Sequence, residues 1–163
     1  MYEIVIGRFS EDKHLGLKGT IFLGKQYVRM GQTVSLANNV FLDIARSHVV
    51  YICGKRGSGK SYTMGVIAEG LASTDLEVAK HLSIVILDTM GIYWTMKYPN
   101  KQDKELLKQW GLEPKGFISN VKIFVPEGFF NTYKEQGMPV DEKFAINPKD
   151  LDAQDWLELF GID

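Results

Sequence analysis

Between Tyr2 and Ile44 the apolar residues fall in short runs, Tyr2 to Ile6, Thr20 to Leu23, Tyr27 to Met30, Thr33 to Leu36 and Val40 to Ile44. Gly24-Lys25-Gln26 and Gly31-Gln32 separate neighbouring runs with turn chemistry, so the pattern predicts a small antiparallel β unit, residues 1–46. A unit that small cannot bury a large core alone. After Arg46 the rhythm changes. His48 to Cys53 (HVVYIC) is a continuous β-branched and aromatic run, the pattern of a strand buried on both faces. A glycine-rich stretch follows, then a predicted helix from Lys60 to Leu71 with Met64, Ile67, Ala68 and Leu71 on one face, weakened by Gly65 and Gly70. Ser83 to Leu87 reads as a second buried strand ending on Asp88, and Val121 to Val125 as a third ending at Pro126. Helices are predicted over Gln102 to Trp110, stopped by Gly111, and from Asn147-Pro148 onward, where Leu151, Trp156, Leu157 and Phe160 make an apolar face. Strand, glycine-rich loop, helix and strand in alternation predict an α/β domain with a parallel sheet over residues 47–163.

Composition narrows the class. The chain has 163 residues, 45% hydrophobic and 24% charged, which suits a globular domain and excludes disorder, collagen and coiled coil. With 19 basic against 20 acidic side chains the net charge is -1, so the chain lacks the footprint of a stand-alone nucleic-acid binder. The longest apolar runs are strand-sized, so a soluble, cytoplasmic protein with no membrane partner and no export signal is expected. The single Cys53 cannot form an internal disulfide, which suits a reducing compartment.

Gly54-Lys55-Arg56-Gly57-Ser58-Gly59-Lys60-Ser61 fits the pattern G-x-x-x-x-G-K-S and stands between an apolar strand and an amphipathic helix. Glycines let backbone N–H groups converge on an oxyanion, the helix start adds its positive dipole end, and Lys60 adds a point charge. Ser61 offers a hydroxyl to Mg2+, and Tyr62 follows it into the helix as the last residue of the expected binding segment. The expected cofactors are a nucleoside triphosphate, read as ATP, and Mg2+. The plain alternative is a glycine-rich strand-to-helix turn that binds nothing. Arg56 suits contact with phosphate or with a neighbouring subunit as well as it suits an exposed loop.

Asp88, at the carboxyl end of a strand beside this loop, is placed to hold Mg2+ or position water, so Lys60 and Asp88 are the catalytic candidates and Ser61 and Asp88 the metal candidates. A turn-forming aspartate is the alternative. Asp88-Thr89-Met90-Gly91 also spells D-x-x-G and Asn100-Lys101-Gln102-Asp103 spells N-K-x-D, both GTPase signatures. The segment from Ile92 to Pro99 is too short for the helix-plus-strand crossover a guanine-reading motif requires, and Pro99 blocks regular pairing. The second match therefore reads as a polar helix start.

HVVYICGKRGSGKS followed by SIVILDTMGIYW resembles the HerA-type ATPases of the HerA/FtsK group. In that family a small β-barrel precedes a RecA-like motor, and a strand ending in a D-P-H-G-E-Y-like segment follows the phosphate loop. The match carries over onto Asp88, Gly91 and Tyr93, while Met90 and Ile92 stand where the family usually has His and Glu. The resemblance implies an incomplete RecA-like P-loop domain, the N-terminal part of a hexameric, ATP-driven translocase or helicase. Its implied partners are double-stranded DNA and a NurA-type nuclease in end processing, and the family's Walker B acids and arginine finger would lie further along such a chain.

The remaining residues invite ordinary readings. His14, His48 and His81 have no second ligand at metal-binding spacing, Cys53 reads as a small hydrophobe ending a strand, and no serine has a nucleophile elbow. Trp110 and Trp156 read as packing residues, whereas Tyr93-Trp94 suits either the nucleotide or the sheet edge. Three functions follow: a P-loop NTPase, a nucleotide-binding or assembly module without turnover, and a GTPase-like switch reading guanine through Asp103.

Overall fold

The computed structural model describes residues 2–161, and backbone contacts divide the chain into two compact units, Met1–Met96 and Lys97–Asp163.

In the first unit, β1 (Ile4–Ile6), β2 (Thr20–Met30) and β3 (Thr33–Asp43) form a sheet of order β1-β3-β2. β2 and β3 pair antiparallel from Thr20↔Asp43 to Met30↔Thr33 around the Gly31-Gln32 turn, where Gly31 has φ 62°. That positive φ is the backbone state glycine adopts without strain. Two expectations change. Gly24 to Gln26 do not turn the chain; β2 runs through them with register irregularities between Phe22 and Gly24 and between Lys25 and Tyr27, absorbing the polar break as bulges. β1 runs parallel to β3, pairing Ile4↔Val40, so the unit is mixed rather than purely antiparallel. These three strands form an open sheet among the described residues.

The helix α1 (Lys60–Ala72) packs against β2. Gly70, which weakens helix propensity, has a packing reason: a Cβ there would lie 3.1 Å from Ile21 Cβ. Ile21, Leu42 and Ala68 are buried. A short helix α2 (Leu76–Ala79) follows.

His48 to Cys53 and Ser83 to Leu87 differ from the expected strands. Both lack assigned ladder pairing, and neither has a backbone hydrogen bond among the described residues. Val50, Ile52, Ile84 and Ile86 line a groove of about 290 Å³ with Met64, Ile67, Ala68, Leu71 and Tyr93, while Val49, Tyr51, Val85 and Leu87 are exposed. The two-face-buried pattern is thus met only in part and on one face, where Ile52 and Ile86 are half-buried while Val50 and Ile84 remain exposed, because a buried parallel strand needs both a hydrogen-bonding neighbour and a second covering layer. Cys53 is accordingly exposed, not packed as the end of a buried strand.

The second unit carries α3 (Lys104–Gln109), α4 (Phe130–Glu135) and α5 (Ala153–Phe160), with β4 (Phe124–Pro126) parallel to β5 (Glu142–Phe144). The strand expected over Val121 to Val125 is therefore displaced to its carboxyl end. Its organising contact is Lys97, whose side chain is buried and lies 2.5 Å from Asp141 Oδ2 while donating to the Pro139 carbonyl at 2.9 Å. Asp141 also accepts from the Ile123 amide at 2.7 Å, fixing the entry to β4. Burial alone would raise the Asp141 pKa, but the hydrogen bonds from Lys97 and Ile123 and the nearby positive charge outweigh it and hold it below the ordinary value. α5 begins with a capping box between Asp152 and Asp155 and ends on Gly161 with φ 61°. No helix among the described residues is long and apolar enough to cross a membrane.

Candidate functional site

The glycine-rich segment forms an exposed loop leading into α1. Gly57 (φ 78°) and Gly59 (φ 87°) occupy the left-handed region, so side chains at either position would strain the backbone. At Gly54 a Cβ would come within 2.4 Å of Ser58 Oγ, a hydroxyl that can rotate aside, and 3.3 Å of Ser58 Cβ, so glycine eases the close approach of the two ends of the loop. The Ser58 amide donates to the Lys55 carbonyl at 3.1 Å.

Gly59 caps α1 without a side-chain hydrogen bond, and the amides of Lys60, Ser61 and Tyr62 have no acceptor among the described residues. The first turn of a helix always leaves such donors, and they normally find a side chain, water or an anion. No acidic residue occupies this turn to compete with an anion. Lys60 Nζ reaches back to the carbonyls of Gly54 and Lys55, both at 2.9 Å, which holds its charge over the loop. Lys55, Arg56, Ser61 and Tyr62 are exposed. The donor set suits a polyanion such as a triphosphate, and the Ser61 hydroxyl suits a hard divalent cation.

Asp88 closes the Ser83 to Leu87 segment. Its Oδ2 accepts from the Tyr93 amide at 2.8 Å, tying the D-T-M-G-I-Y segment into a turn in which Gly91 has φ 63°. Tyr93 Oη donates to the Ser61 carbonyl at 3.1 Å. Asp88 and the start of α1 are therefore linked through one tyrosine, the residue whose sequence reading stood open between nucleotide and sheet edge.

At Asn100 and Asp103 the side chains meet each other: Asn100 Nδ2 donates to Asp103 Oδ2 at 3.0 Å, and Asn100 Oδ1 accepts from the amides of Gln102 and Asp103. This is the start of α3. Among the described residues no group of three or more His, Cys, Asp or Glu could hold a metal ion.

A polar cluster that the sequence reading passed over supports the other end of the loop-bearing segment. Asp43, with 1% of its side chain exposed, lies 2.8 Å from His48 Nε2 and 2.6 Å from Arg8 Nε, the latter an ion pair outside hydrogen-bond alignment. Arg8 also donates to the Lys18 carbonyl at 2.7 Å. Burial would raise the Asp43 pKa, but the His48 hydrogen bond, the Arg8 charge and the amides of Ala45 and Arg46 together hold it below the ordinary value. His48 thereby anchors the start of the extended segment on the last residue of β3. His48, five residues after Asp43, was the one local signal; Arg8 comes from far along the chain, and the neighbouring Arg46 pairs instead with Glu11 and Asp12.

The family description "Helicase HerA, central domain" matches residues 28–163, from the last three residues of β2 through the loop, Asp88 and the second unit. The chain belongs to the HerA helicase family. Membership carries a P-loop NTPase-like α/β fold and places the chain among ATP-driven motors. A search of curated proteins and of solved structures found no match to the chain.

Proposed function

We propose that residues 54–62 of this HerA-family chain bind the triphosphate of ATP together with Mg2+. The observation that carries the reading is the first turn of α1, whose unaccepted amides lie beside Lys60 at the end of a glycine-built loop. In this reading the loop amides and Lys60 bind the phosphates, Lys60 neutralises charge that develops during transfer, and Ser61 and Asp88 hold the metal. Magnesium would supply Lewis-acid stabilisation of the phosphate oxygens. Catalysis at such sites is chiefly positioning and electrostatics.

For the complete protein we infer an N-terminal β unit ending near residue 46 and a motor domain beginning at residue 47. The unpaired backbone of His48 to Cys53 and Ser83 to Leu87 favours further sheet strands from a longer polypeptide, and with them the acids and arginine finger of a full motor. A hexameric, ATP-driven translocase or helicase on double-stranded DNA, working with a NurA-type nuclease, is the corresponding whole-protein activity. The same unpaired segments favour a second reading for residues 1–163 alone, nucleotide binding without turnover.

Mg2+-dependent ATP and GTP titrations with turnover assays, run beside Lys60→Ala, test these readings. ATP binding that Lys60→Ala removes is expected; equal ATP affinity in the two proteins would sink the phosphate-loop assignment. Hydrolysis by the isolated chain would remove the binding-only reading. Strong preference for GTP, abolished by Asp103→Ala, would restore the guanine switch against the mutual pairing of Asn100 and Asp103.

A further inference from the structure

Tyr93 spans the two residues that the proposed function assigns to Mg2+. Its amide donates to Asp88 Oδ2 at 2.8 Å, and its hydroxyl donates to the carbonyl of Ser61 at 3.1 Å. Its ring lies against Gly65, one turn further along α1, where an added Cβ would be 3.8 Å from the ring edge. The ring also lines the apolar groove beneath α1 with Val50, Ile52, Ile84 and Ile86. One aromatic side chain therefore connects the end of the Asp88 segment to the first turn of the phosphate helix, using a backbone donor at one end and a side-chain donor at the other.

We infer that Tyr93 is a positioning residue for the metal subsite, setting the separation between the Asp88 carboxylate and the Ser61 hydroxyl. The inference rests on the phosphate-loop reading and adds a residue to it. Its physical content is pre-organisation. Two ligand-bearing segments without a shared backbone ladder can drift relative to each other, and a divalent cation with demanding geometry penalises that drift more than a flexible triphosphate does. Losing the hydroxyl should consequently weaken magnesium-dependent binding while leaving the apolar seat of the ring intact.

Tyr93→Phe tests this in residues 1–163, with fluorescent ATP titrated against increasing Mg2+ and again in EDTA. The expected result is a rise of about two- to tenfold in the Mg2+ concentration giving half-maximal binding, the scale of one net hydrogen bond. Affinity in EDTA should match the parent chain. An unchanged Mg2+ midpoint overturns the inference. Equal weakening with and without Mg2+ also overturns it, since that would mark a general support of α1. Lys60→Ala run in parallel separates the two levels: if it binds like the parent chain, the phosphate-loop reading fails and takes the Tyr93 role with it. If Lys60→Ala abolishes binding while Tyr93→Phe changes nothing, only the Tyr93 role falls.

Discussion

The β2–β3 hairpin and the two extended segments that carry the loop and Asp88 are built from similar residues and are held in different ways. In the hairpin, Thr20↔Asp43 to Met30↔Thr33 form a backbone ladder. His48 to Cys53 and Ser83 to Leu87 are richer still in β-branched residues, yet no backbone hydrogen bond holds them among the described residues. Side chains do it instead. His48 is moored on Asp43 at one end, and at the other Tyr93 joins Asp88 to α1. β propensity records a fit to a pleated, half-buried surface, and it becomes a ladder only where a partner edge is present.

The largest expected contrast is in amide hydrogen exchange. Opening free energies within one protein run from near zero for unpaired backbone to the global stability, which for a domain is about 5 kcal/mol or more. Amides in the β2–β3 ladder should be protected to the global limit, while those of residues 49–53 and 84–87 should exchange close to the unprotected rate. Equal protection in both regions would mean that the extended segments are paired in solution.

Removing the mooring comes next. Asp43→Ala leaves the buried Arg8 guanidinium without its counter-charge, a change that costs about 3 to 5 kcal/mol when a buried pair is broken on one side. Denaturant unfolding followed by tryptophan fluorescence measures it, and a loss below about 1 kcal/mol, the scale of an exposed pair, would show that Asp43 is solvated. The same cluster predicts an acid response. The Asp43 carboxyl is held below its ordinary value of 3.8, and Asp141 likewise. A group depressed in the folded state contributes stability that is present above the unfolded pKa and lost as the pH falls through the folded one. The contribution of these two carboxylates should therefore be full at pH 5 and above and be lost progressively below about pH 4. Asp43→Asn should flatten part of the resulting fall in unfolding midpoint; an unaltered acid limb would assign it elsewhere.

How much of this was legible follows the range of the interactions. The phosphate loop was readable because its requirements are local: positive φ at Gly57 and Gly59, closure at Gly54, and a helix start directly after. The polar start of α3 was readable for the same reason. The continuity of β2 through Gly24 to Gln26 was not, since a polar glycine triplet has the same composition in a turn and in a bulge, and only the partner strand decides. Nor was the parallel pairing of β1, which depends on residues Val40 to Leu42 far along the chain. Asp43, Arg8 and His48 were hidden because their pairing is tertiary, and His48 alone gave no more than an ordinary packed histidine.

The smallest effects concern the two glycines of α1, and they separate what the sequence treats alike. Both reduce helix propensity, by about 1 kcal/mol each relative to alanine. At Gly65 a Cβ meets only the Tyr93 ring at 3.8 Å, an ordinary contact, so Gly65→Ala should stabilise the chain by up to about 1 kcal/mol. At Gly70 the Cβ would come within 3.1 Å of Ile21 Cβ, an atom tied to the β2 backbone and unable to rotate away. Gly70→Ala should therefore fail to gain that increment and instead destabilise, because crowding a well-packed contact costs about 1 to 3 kcal/mol against a propensity gain of about 1. Thermal unfolding of the two variants side by side reads the difference in sign. If both gain equally, α1 does not rest on β2 as closely as the Ile21 contact requires, and the hairpin would then support the loop through the Asp43–His48 mooring alone.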